Sequence, residues 1–214
     1  HGCECHADNV AFFDGLPEFD VVIRGRVYAH VALPIPGKHN ISNALAAAAS
    51  AYLLGIPGEA VERGLRGFHG AGRRFEHKGT FRGAEVYDDY AHHPDELRAL
   101  LTMAAAMPHR RILCAFQPHT YTRTHSLFSR FVEELRVPDV AILAEIYAAR
   151  EKNDLGISSR DLCQEIPGSI YCPTLADVTD TLAELAQPGD LILTVGAGDI
   201  YKAGEELLKR EDRA

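Results

Sequence analysis

The densest group of chemically capable side chains lies in segment 88–94. Two carboxylates, a phenol and two imidazoles fall within six residues, in the order Asp88, Asp89, Tyr90, His92 and His93. A carboxylate there can hold a ribose hydroxyl or a magnesium-bound water, and an imidazole can bind an anion or transfer a proton near neutral pH. A capped polar loop would use the same residue types, so the pattern favours a functional site without establishing one.

A second polar segment, Gln117 to Thr124, follows the next apolar run along the chain. It carries hydroxyl groups, one imidazole at His119 and one guanidinium at Arg123. Such a set suits a phosphate or a carboxylate ligand. A capped loop without a ligand explains the same residues equally well.

The segment 37–43 contains a Gly-Lys pair that is typical of phosphate loops. The phosphate-loop pattern is incomplete, because His39 stands where Ser or Thr is required. What remains is His39, Asn40 and Asn43 at the start of a helix. Their donors and acceptors suit the edge of a purine, whereas the alternative is that Asn40 simply caps the helix.

Two further segments could bind phosphate. Adjacent arginines, Arg73 and Arg74, can clamp an anion, although a solvated pair beside an inward-facing Phe75 is the alternative. The turn 195–199 is rich in glycine, but Lys202 stands where the dinucleotide fingerprint needs its third glycine. We expect that turn to pack a strand against a helix.

The first six residues, HGCECH, hold four potential metal ligands. Zinc sites generally use a wider loop between their ligand pairs, and no matching pair follows downstream. We therefore expect no metal site and a frayed terminus. Because the chain begins with His1, we also expect it to be a piece of a longer protein.

The elements that position these residues change in character along the chain. An alternating pattern predicts a hairpin of strands 19–23 and 27–31, followed by helices from Asn40 and over 58–66. Three glycines in segment 67–72 predict a hinge, which divides the chain into domains 1–72 and 73–214.

Beyond the hinge, short apolar strands alternate with helices, which indicates a doubly wound α/β fold with a mostly parallel sheet. The predicted strands are 85–87, 112–116, 140–144, 169–171 and 191–195, and the predicted helices are 94–107, 125–135, 158–166, 174–186 and 199–210. The polar segments 88–94, 117–124 and 196–199 each follow a strand. Ligands of such sheets bind at the carboxyl ends of strands.

Composition excludes several classes of protein. The 214 residues carry a formal charge of −8, with 46% hydrophobic residues. The acidic balance disfavours a nucleic-acid partner, and the absence of an apolar run of about 18 residues disfavours a membrane span. Of the five cysteines, three fall in segments that read as buried, which fits a reducing cytoplasm better than a disulfide framework.

Five stretches, in this order, resemble the Mur ligases: HNISNALAAA, GRRFE, DDYAHHP, FQPHTYTRT and VGAGDIYKAGEE. The resemblance begins at about Asp20. It implies that 1–72 is the tail of a central ATPase domain and that 73–214 is a complete C-terminal Rossmann-like domain. The UDP-binding domain, the phosphate loop, the magnesium-binding glutamate and the modified lysine of the family would all be missing.

The resemblance also implies an activity, which belongs to the full-length protein. With ATP and Mg2+, it would phosphorylate the lactyl carboxylate of UDP-N-acetylmuramate, and the amine of L-alanine would attack the acyl phosphate to form an amide for peptidoglycan synthesis. The metal ligands would lie in the missing part, so the chain alone would be inactive. Two alternatives remain open, a relative that adds a murein peptide and a nucleotide-binding module without chemistry.

The residue roles that the resemblance implies are grouped by ligand. Adenine would contact His39, Asn40 and Asn43; the ATP phosphates would contact Arg74, and the ribose Asp89; the muramoyl substrate or alanine would contact Tyr90, His92, Thr120 and Arg123, of which His92 and Arg123 are the catalytic candidates. Some family members carry Arg where this chain has Thr120. Loops 88–94 and 117–124 should line one cleft.

Overall fold

A computed structural model describes residues 4–211 of the chain, which divide into two units between Gly70 and Ala71. The division falls inside the glycine-rich segment that predicts a hinge. That the first unit is the tail of an ATPase domain stays a prediction.

The first unit has a three-stranded antiparallel sheet and two helices. In chain order its elements are β1 (Cys5–Phe13), β2 (Leu16–Ile23), β3 (Arg26–Ala32), α1 (Lys38–Leu53) and α2 (Gly58–Arg66). The predicted hairpin is confirmed as β2 and β3. The expected frayed terminus is wrong from Cys5 onward, because β1 pairs with β2 along its length. His1, Gly2 and Cys3 lie outside the described residues.

The core of the first unit lies between the sheet and the helices. Alternate residues Phe19, Val21 and Ile23 of β2 point into it and meet Ala44 and Ala48 on one face of α1. Helix α1 begins at Lys38, so the prediction that Asn40 is its N-cap is wrong. The side-chain amide of Asn40 instead donates to the carbonyl of Pro36 at 2.7 Å.

The second unit alternates strands with helices, as the sequence predicts. Its elements are β4 (Glu76–Phe81), β5 (Ala84–Asp89), α3 (Pro94–Ala105), β6 (Ile112–Phe116), α4 (Tyr121–Ser126), α5 (Phe128–Glu134), β7 (Val140–Ala144), α6 (Ser159–Glu165), β8 (Ile170–Cys172), α7 (Leu175–Leu185), β9 (Leu191–Val195) and α8 (Tyr201–Glu211).

These strands form one six-stranded sheet in the order β4-β5-β9-β6-β7-β8. Every pair is parallel except β4 with β5. The α/β fold with a mostly parallel sheet is thereby confirmed. Helices cover both faces: Ile112, Cys114 and Phe116 of β6 belong to the core beneath α3, α5 and α6, whereas Leu113 and Ala115 belong to the core beneath α7 and α8.

One predicted helix is wrong in its bounds. The segment 125–135 is divided into α4 and α5 at Leu127, and α4 begins at Tyr121, inside a stretch predicted to be a loop. The start of α3 follows the prediction, because Pro94 is in its first turn and His93 with Glu96 completes a capping box. Within residues 4–211, no helix is long and apolar enough to cross a membrane.

Candidate functional site

The polar segments meet at one edge of the sheet because their strands end at the same level. In the parallel registers, Asp89 of β5 and Phe116 of β6 both pair with Val195 of β9. The loops after β5, β6 and β9 therefore start side by side at the carboxyl edge. In a doubly wound sheet this is where ligands bind.

The two aspartates of the DDYAHHP stretch belong to β5 and are both buried. Asp88 accepts a hydrogen bond from Thr194 Oγ1 at 2.8 Å and one from Arg73 Nε at 2.8 Å. Both oxygen atoms of the Asp88 carboxylate are therefore bonded to side chains of the protein itself. It is therefore a structural carboxylate and a poor candidate for holding a ligand.

Asp89, the predicted ribose contact, is 9% exposed and also has partners within the chain. Its Oδ1 accepts the amide of Ala91 at 2.7 Å, and its Oδ2 accepts the amide of Phe75 at 2.8 Å. Burial raises the pKa of this carboxyl, although the two amides and the charge of Arg74 oppose the rise. Any bond to a ribose would have to use the remaining lone pairs of these oxygens.

The adjacent arginines have different roles. The guanidinium of Arg73 binds Asp88 and also donates to the carbonyls of Gly198 at 3.1 Å and Gly196 at 2.6 Å, so its donors are engaged within the fold. Arg74 is exposed, and its guanidinium lies 5.6 Å from the ring centroid of Tyr90. Within the part of the chain that the structure describes, the guanidinium of Arg74 has no hydrogen-bonded partner. Of the two arginines, Arg74 is therefore the one able to bind an external anion.

The glycine-rich turn after β9 packs closely against the loop after β6. A Cβ on Gly198 would lie 2.3 Å from Oε1 of Gln117 and 2.7 Å from Cγ of Tyr147. Gln117 Oε1 accepts the amides of Asp199 at 3.0 Å and Ile200 at 3.2 Å. The turn is closely packed, but mainly against the loops after β6 and β7 and not, as predicted, between a strand and a helix.

His92 lies on the loop after β5. Its Nδ1 lies 3.0 Å from the carbonyl oxygen of Tyr90, which can only accept, so the neutral ring carries its proton on Nδ1 and offers Nε2 as an acceptor. Its ring centroid is 6.0 Å from that of His119 on the loop after β6. The two predicted loops therefore lie side by side at this edge of the sheet; that they line one ligand cleft stays a prediction. His93 is not available to a ligand in the same way, because its Nδ1 accepts the amide of Asp95.

The loop after β6 presents a guanidinium and an imidazole with free donors or acceptors. Arg123 Nη1 and His119 Nδ1 are buried and lack a hydrogen-bond partner among residues 4–211. Burial lowers the pKa of His119, and the positive charge of Arg123 and the neighbouring His92 lower it further. A buried donor without a partner is costly, so a role for Arg123 in binding an anion stays a prediction that this geometry allows.

Thr120, the N-cap residue before α4, has an unusual conformation, with φ at +72°. Its carbonyl accepts both the amide of Thr124 at 3.2 Å and the hydroxyl of Thr124 at 2.7 Å. A β-branched residue is rarely found in this region of backbone space, and such strain is concentrated at functional sites.

The predicted adenine contacts belong to the first unit. His39 and Asn43 are exposed on the first turns of α1. Asn43 Nδ2 donates to Asn40 Oδ1 at 3.1 Å, and Asn40 is itself bonded to Pro36. Asn40 therefore orients Asn43, which retains the more accessible amide.

The sequence did not single out Tyr147 and Glu151, which follow β7. The ring of Tyr147 stacks on His119 at 5.5 Å, and Glu151 accepts hydrogen bonds from Thr122. The signal that could have found them is positional, because they too follow the carboxyl end of a parallel strand. Among residues 4–211, no group of three or more His, Cys, Asp or Glu side chains could hold a metal ion.

Comparison with known proteins places this geometry in a family. The family described as "Mur ligase, glutamate ligase domain" matches residues 73–198. The UDP-N-acetylmuramate–L-alanine ligase of Lachnospira eligens is 47% identical over 208 residues, which are 95% of this chain and 45% of that protein. The enzyme of the same name from Caldanaerobacter subterraneus subsp. tengcongensis is 45% identical over 203 residues, 93% of this chain and 44% of that one.

A solved structure agrees with the sequence relatives. The crystal structure of UDP-N-acetylmuramate-alanine ligase from Thermotoga maritima superposes with a TM-score of 0.81 at 26% identity, covering 98% of this chain and 46% of that protein. The chain spans less than half the length of these relatives. Because the family match covers more than half of its residues, the chain belongs to the Mur ligase family.

Proposed function

We propose that the protein containing this chain is an ATP-dependent amide ligase that joins L-alanine to UDP-N-acetylmuramate in peptidoglycan synthesis. The observation that carries the proposal is the 47% identity over nearly the whole chain to a ligase of that name. The cluster of His92, His119 and Arg123 at the carboxyl edge of the sheet supports it, since the substrates and the intermediate are anionic.

The chemistry takes place in two steps that balance. A carboxylate oxygen of the lactyl group attacks the γ-phosphorus of ATP, and ADP leaves. The amine of L-alanine then attacks the acyl carbon, and inorganic phosphate leaves as the amide forms. Both steps gather negative charge on oxygen atoms, which fixed cationic donors stabilise.

Arg123 is proposed to stabilise that charge or to hold the carboxylate of a substrate. Its Nη1 is buried and has no hydrogen-bond partner in the described part of the chain, and a guanidinium can bind a carboxylate or a phosphate with two donors. Thr120 is the N-cap residue of α4, the helix that contains Arg123, and its hydroxyl is proposed to contact the substrate. Tyr90, 36% exposed at the opposite loop, is proposed to pack against the muramoyl group.

His92 is the proposed proton acceptor. The attacking amine of L-alanine must lose a proton. Because Nδ1 of the neutral His92 ring donates to the carbonyl of Tyr90, the lone pair on Nε2 remains available to accept that proton. We infer the same group positions the amine as it attacks.

Several residues are proposed to bind ATP. His39 and Asn43 would meet adenine, with Asn40 orienting Asn43; Arg74 would bind the phosphates, and Asp89 the ribose. Among residues 4–211, no group of three or more His, Cys, Asp or Glu side chains could hold a Mg2+ ion. We propose that its ligands belong to the rest of the full-length protein and that this chain alone is inactive.

The test is a phosphate-release assay of the full-length protein with ATP and UDP-N-acetylmuramate. We expect release to require L-alanine and to yield the alanyl product. Release that does not need an amino acid, or that needs a murein tripeptide in place of L-alanine, would overturn the proposal. We further propose a cytoplasmic reaction, where ATP is present and the cysteines stay reduced.

A further inference from the structure

The segment that carries Thr120 and Arg123 cannot hold its own shape. Helix α4 has only six residues, and isolated helices of that length are unstable in water. The side chain of Thr120, at its N-cap, caps none of the amides in the described chain, and its φ of +72° is strained. The position of Arg123 must therefore be fixed by contacts from outside this segment.

The side-chain contacts to the first turn of α4 come from Glu151, on the loop after the neighbouring strand β7. Thr122 donates its hydroxyl to Glu151 Oε1 at 2.5 Å and its amide to Glu151 Oε2 at 2.9 Å. Both carboxylate oxygens are thus used on the first turn of α4, whose amides have no partner within the helix. The same hydrogen bonds from Thr122 lower the pKa of Glu151, so its carboxylate is ionised at neutral pH.

The loop that carries Glu151 is itself held at several points. Tyr147 donates its amide to Pro118 O at 2.8 Å and accepts the amide of Thr120 at 2.9 Å. At the base of the loop, Glu145 Oε2 accepts hydroxyl hydrogen bonds from Ser158 at 2.7 Å and Tyr171 at 2.6 Å. Glu151 therefore acts from a frame that is fixed to β7 and β8.

We propose that Glu151 is a positioning residue for the ligase reaction, whose carboxylate fixes the first turn of α4 and thereby holds the guanidinium of Arg123 beside His119. The inference rests on the proposed function of Arg123. In this proposal Glu151 acts through α4 and does not itself contact the substrate.

The experiment compares full-length variants Glu151→Ala, Glu151→Gln and Thr122→Val with Arg123→Ala. We expect Glu151→Ala to raise the same KM that Arg123→Ala raises, by about tenfold, because a small misplacement of a binding group costs a large factor in rate or affinity. The KM for ATP should change by less than about twofold. Glu151→Gln should give an intermediate effect, since one of its oxygens remains as an acceptor.

A double variant and a matched control separate positioning from loss of stability. Glu151→Ala combined with Thr122→Val should be no worse than the more impaired single variant, because both remove one interaction. Glu184→Ala, on the exposed side of α7, should change neither KM. A general loss of folded protein would lower the activity with all substrates alike, and that pattern, or an unchanged KM in Glu151→Ala, would overturn the proposal.

Hydrogen exchange provides a readout that does not depend on the reaction. The amides of 122–124 should exchange about tenfold faster in Glu151→Ala than in the wild type, because the turn opens locally. If Arg123→Ala leaves every KM unchanged, the proposed function of Arg123 fails, whereas faster exchange at 122–124 still supports the hold of Glu151 on α4. Unchanged exchange there would overturn the positioning role itself.

Discussion

Arg73 donates from Nε to Oδ2 of Asp88 at 2.8 Å. This ion pair connects Arg73, which follows the glycine-rich segment 67–72, to the buried strand β5. The side chain of Asp88 is only 2% exposed. Arg74, the residue after Arg73, is exposed and forms no such ion pair with a described residue. Two adjacent residues of one type thus have separate roles, one in stability and one available to a ligand.

The first prediction compares these two arginines in the 214-residue chain. Arg73→Ala leaves a buried carboxylate without its cation and two glycine carbonyls without a donor, and we expect a loss of about 3 kcal/mol in the free energy of unfolding. Arg74→Ala should change it by less than about 0.5 kcal/mol. Urea unfolding measures both, and equal losses would contradict the assignment.

The second prediction concerns the turn after β9. A Cβ on Gly196 would lie 2.7 Å from the carbonyl oxygen of Gln117, a backbone atom that cannot move aside, and Gly196 has a φ of +149°. We expect Gly196→Ala to cost about 3 kcal/mol from the clash and the strain together.

The control for that substitution is Gly156→Ala. Gly156 also has a positive φ, of +63°, but a Cβ there would meet no atom of the described chain within 4 Å. Its cost should be about 1 kcal/mol, from the backbone conformation alone. Thermal unfolding of the two variants distinguishes them, and a similar loss in both would show that close packing at Gly196 is unimportant.

The buried strands were predictable because both of their faces are covered. The predicted bounds of β6, β7 and β9 agree with the structure, since each is a short continuous apolar run with packing on either side. Strands β1 and β4 were not predicted. They are edge strands with mostly exposed or half-buried side chains, held by backbone hydrogen bonds that leave no pattern in the sequence.

The candidate site was predictable in position but not in its pairing. The rule that ligands bind at strand ends correctly brings the loops of His92 and His119 together. It could not reveal that Arg73 and Asp88 satisfy each other, because that contact depends on the tertiary approach of residues distant in the sequence. For the same reason it gave no role to Glu151, which is defined only by its contact with Thr122.

The third prediction concerns the effect of the Arg123 charge on the pKa of His119. Burial lowers the pKa of His119, and Arg123 lowers it further. Arg123→Ala removes a positive charge and opens the ring to water, so the pKa of His119 should rise toward its ordinary value of 6.5. NMR titration of the histidine rings in the 214-residue chain measures this change. Arg130→Ala, which removes an arginine that pairs with Asp95, should leave the titration of His119 where it is; an equal rise in both variants would refute the assignment.

The last prediction concerns the pH dependence that Asp89 gives to stability. Burial raises the pKa of this carboxyl above 3.8, although the amides of Ala91 and Phe75 oppose the rise. A carboxyl whose pKa is higher in the folded state stabilises the fold fully below its unfolded pKa, and this contribution is lost as the pH rises through the folded pKa. Asp89→Asn removes that titration. The free energy of unfolding of the wild-type chain, relative to Asp89→Asn, should therefore increase as the pH is lowered from about 7 to about 4.

Denaturant unfolding of both chains across that range isolates Asp89, because every other carboxylate is common to the two. A difference that stays constant with pH would show that Asp89 has the same pKa folded and unfolded. A difference that shrinks as the pH falls would show that the two backbone amides outweigh burial and hold the carboxylate ionised. That second result would also favour a charged Asp89 as the group that meets a ribose hydroxyl, since an ionised carboxylate is the stronger acceptor.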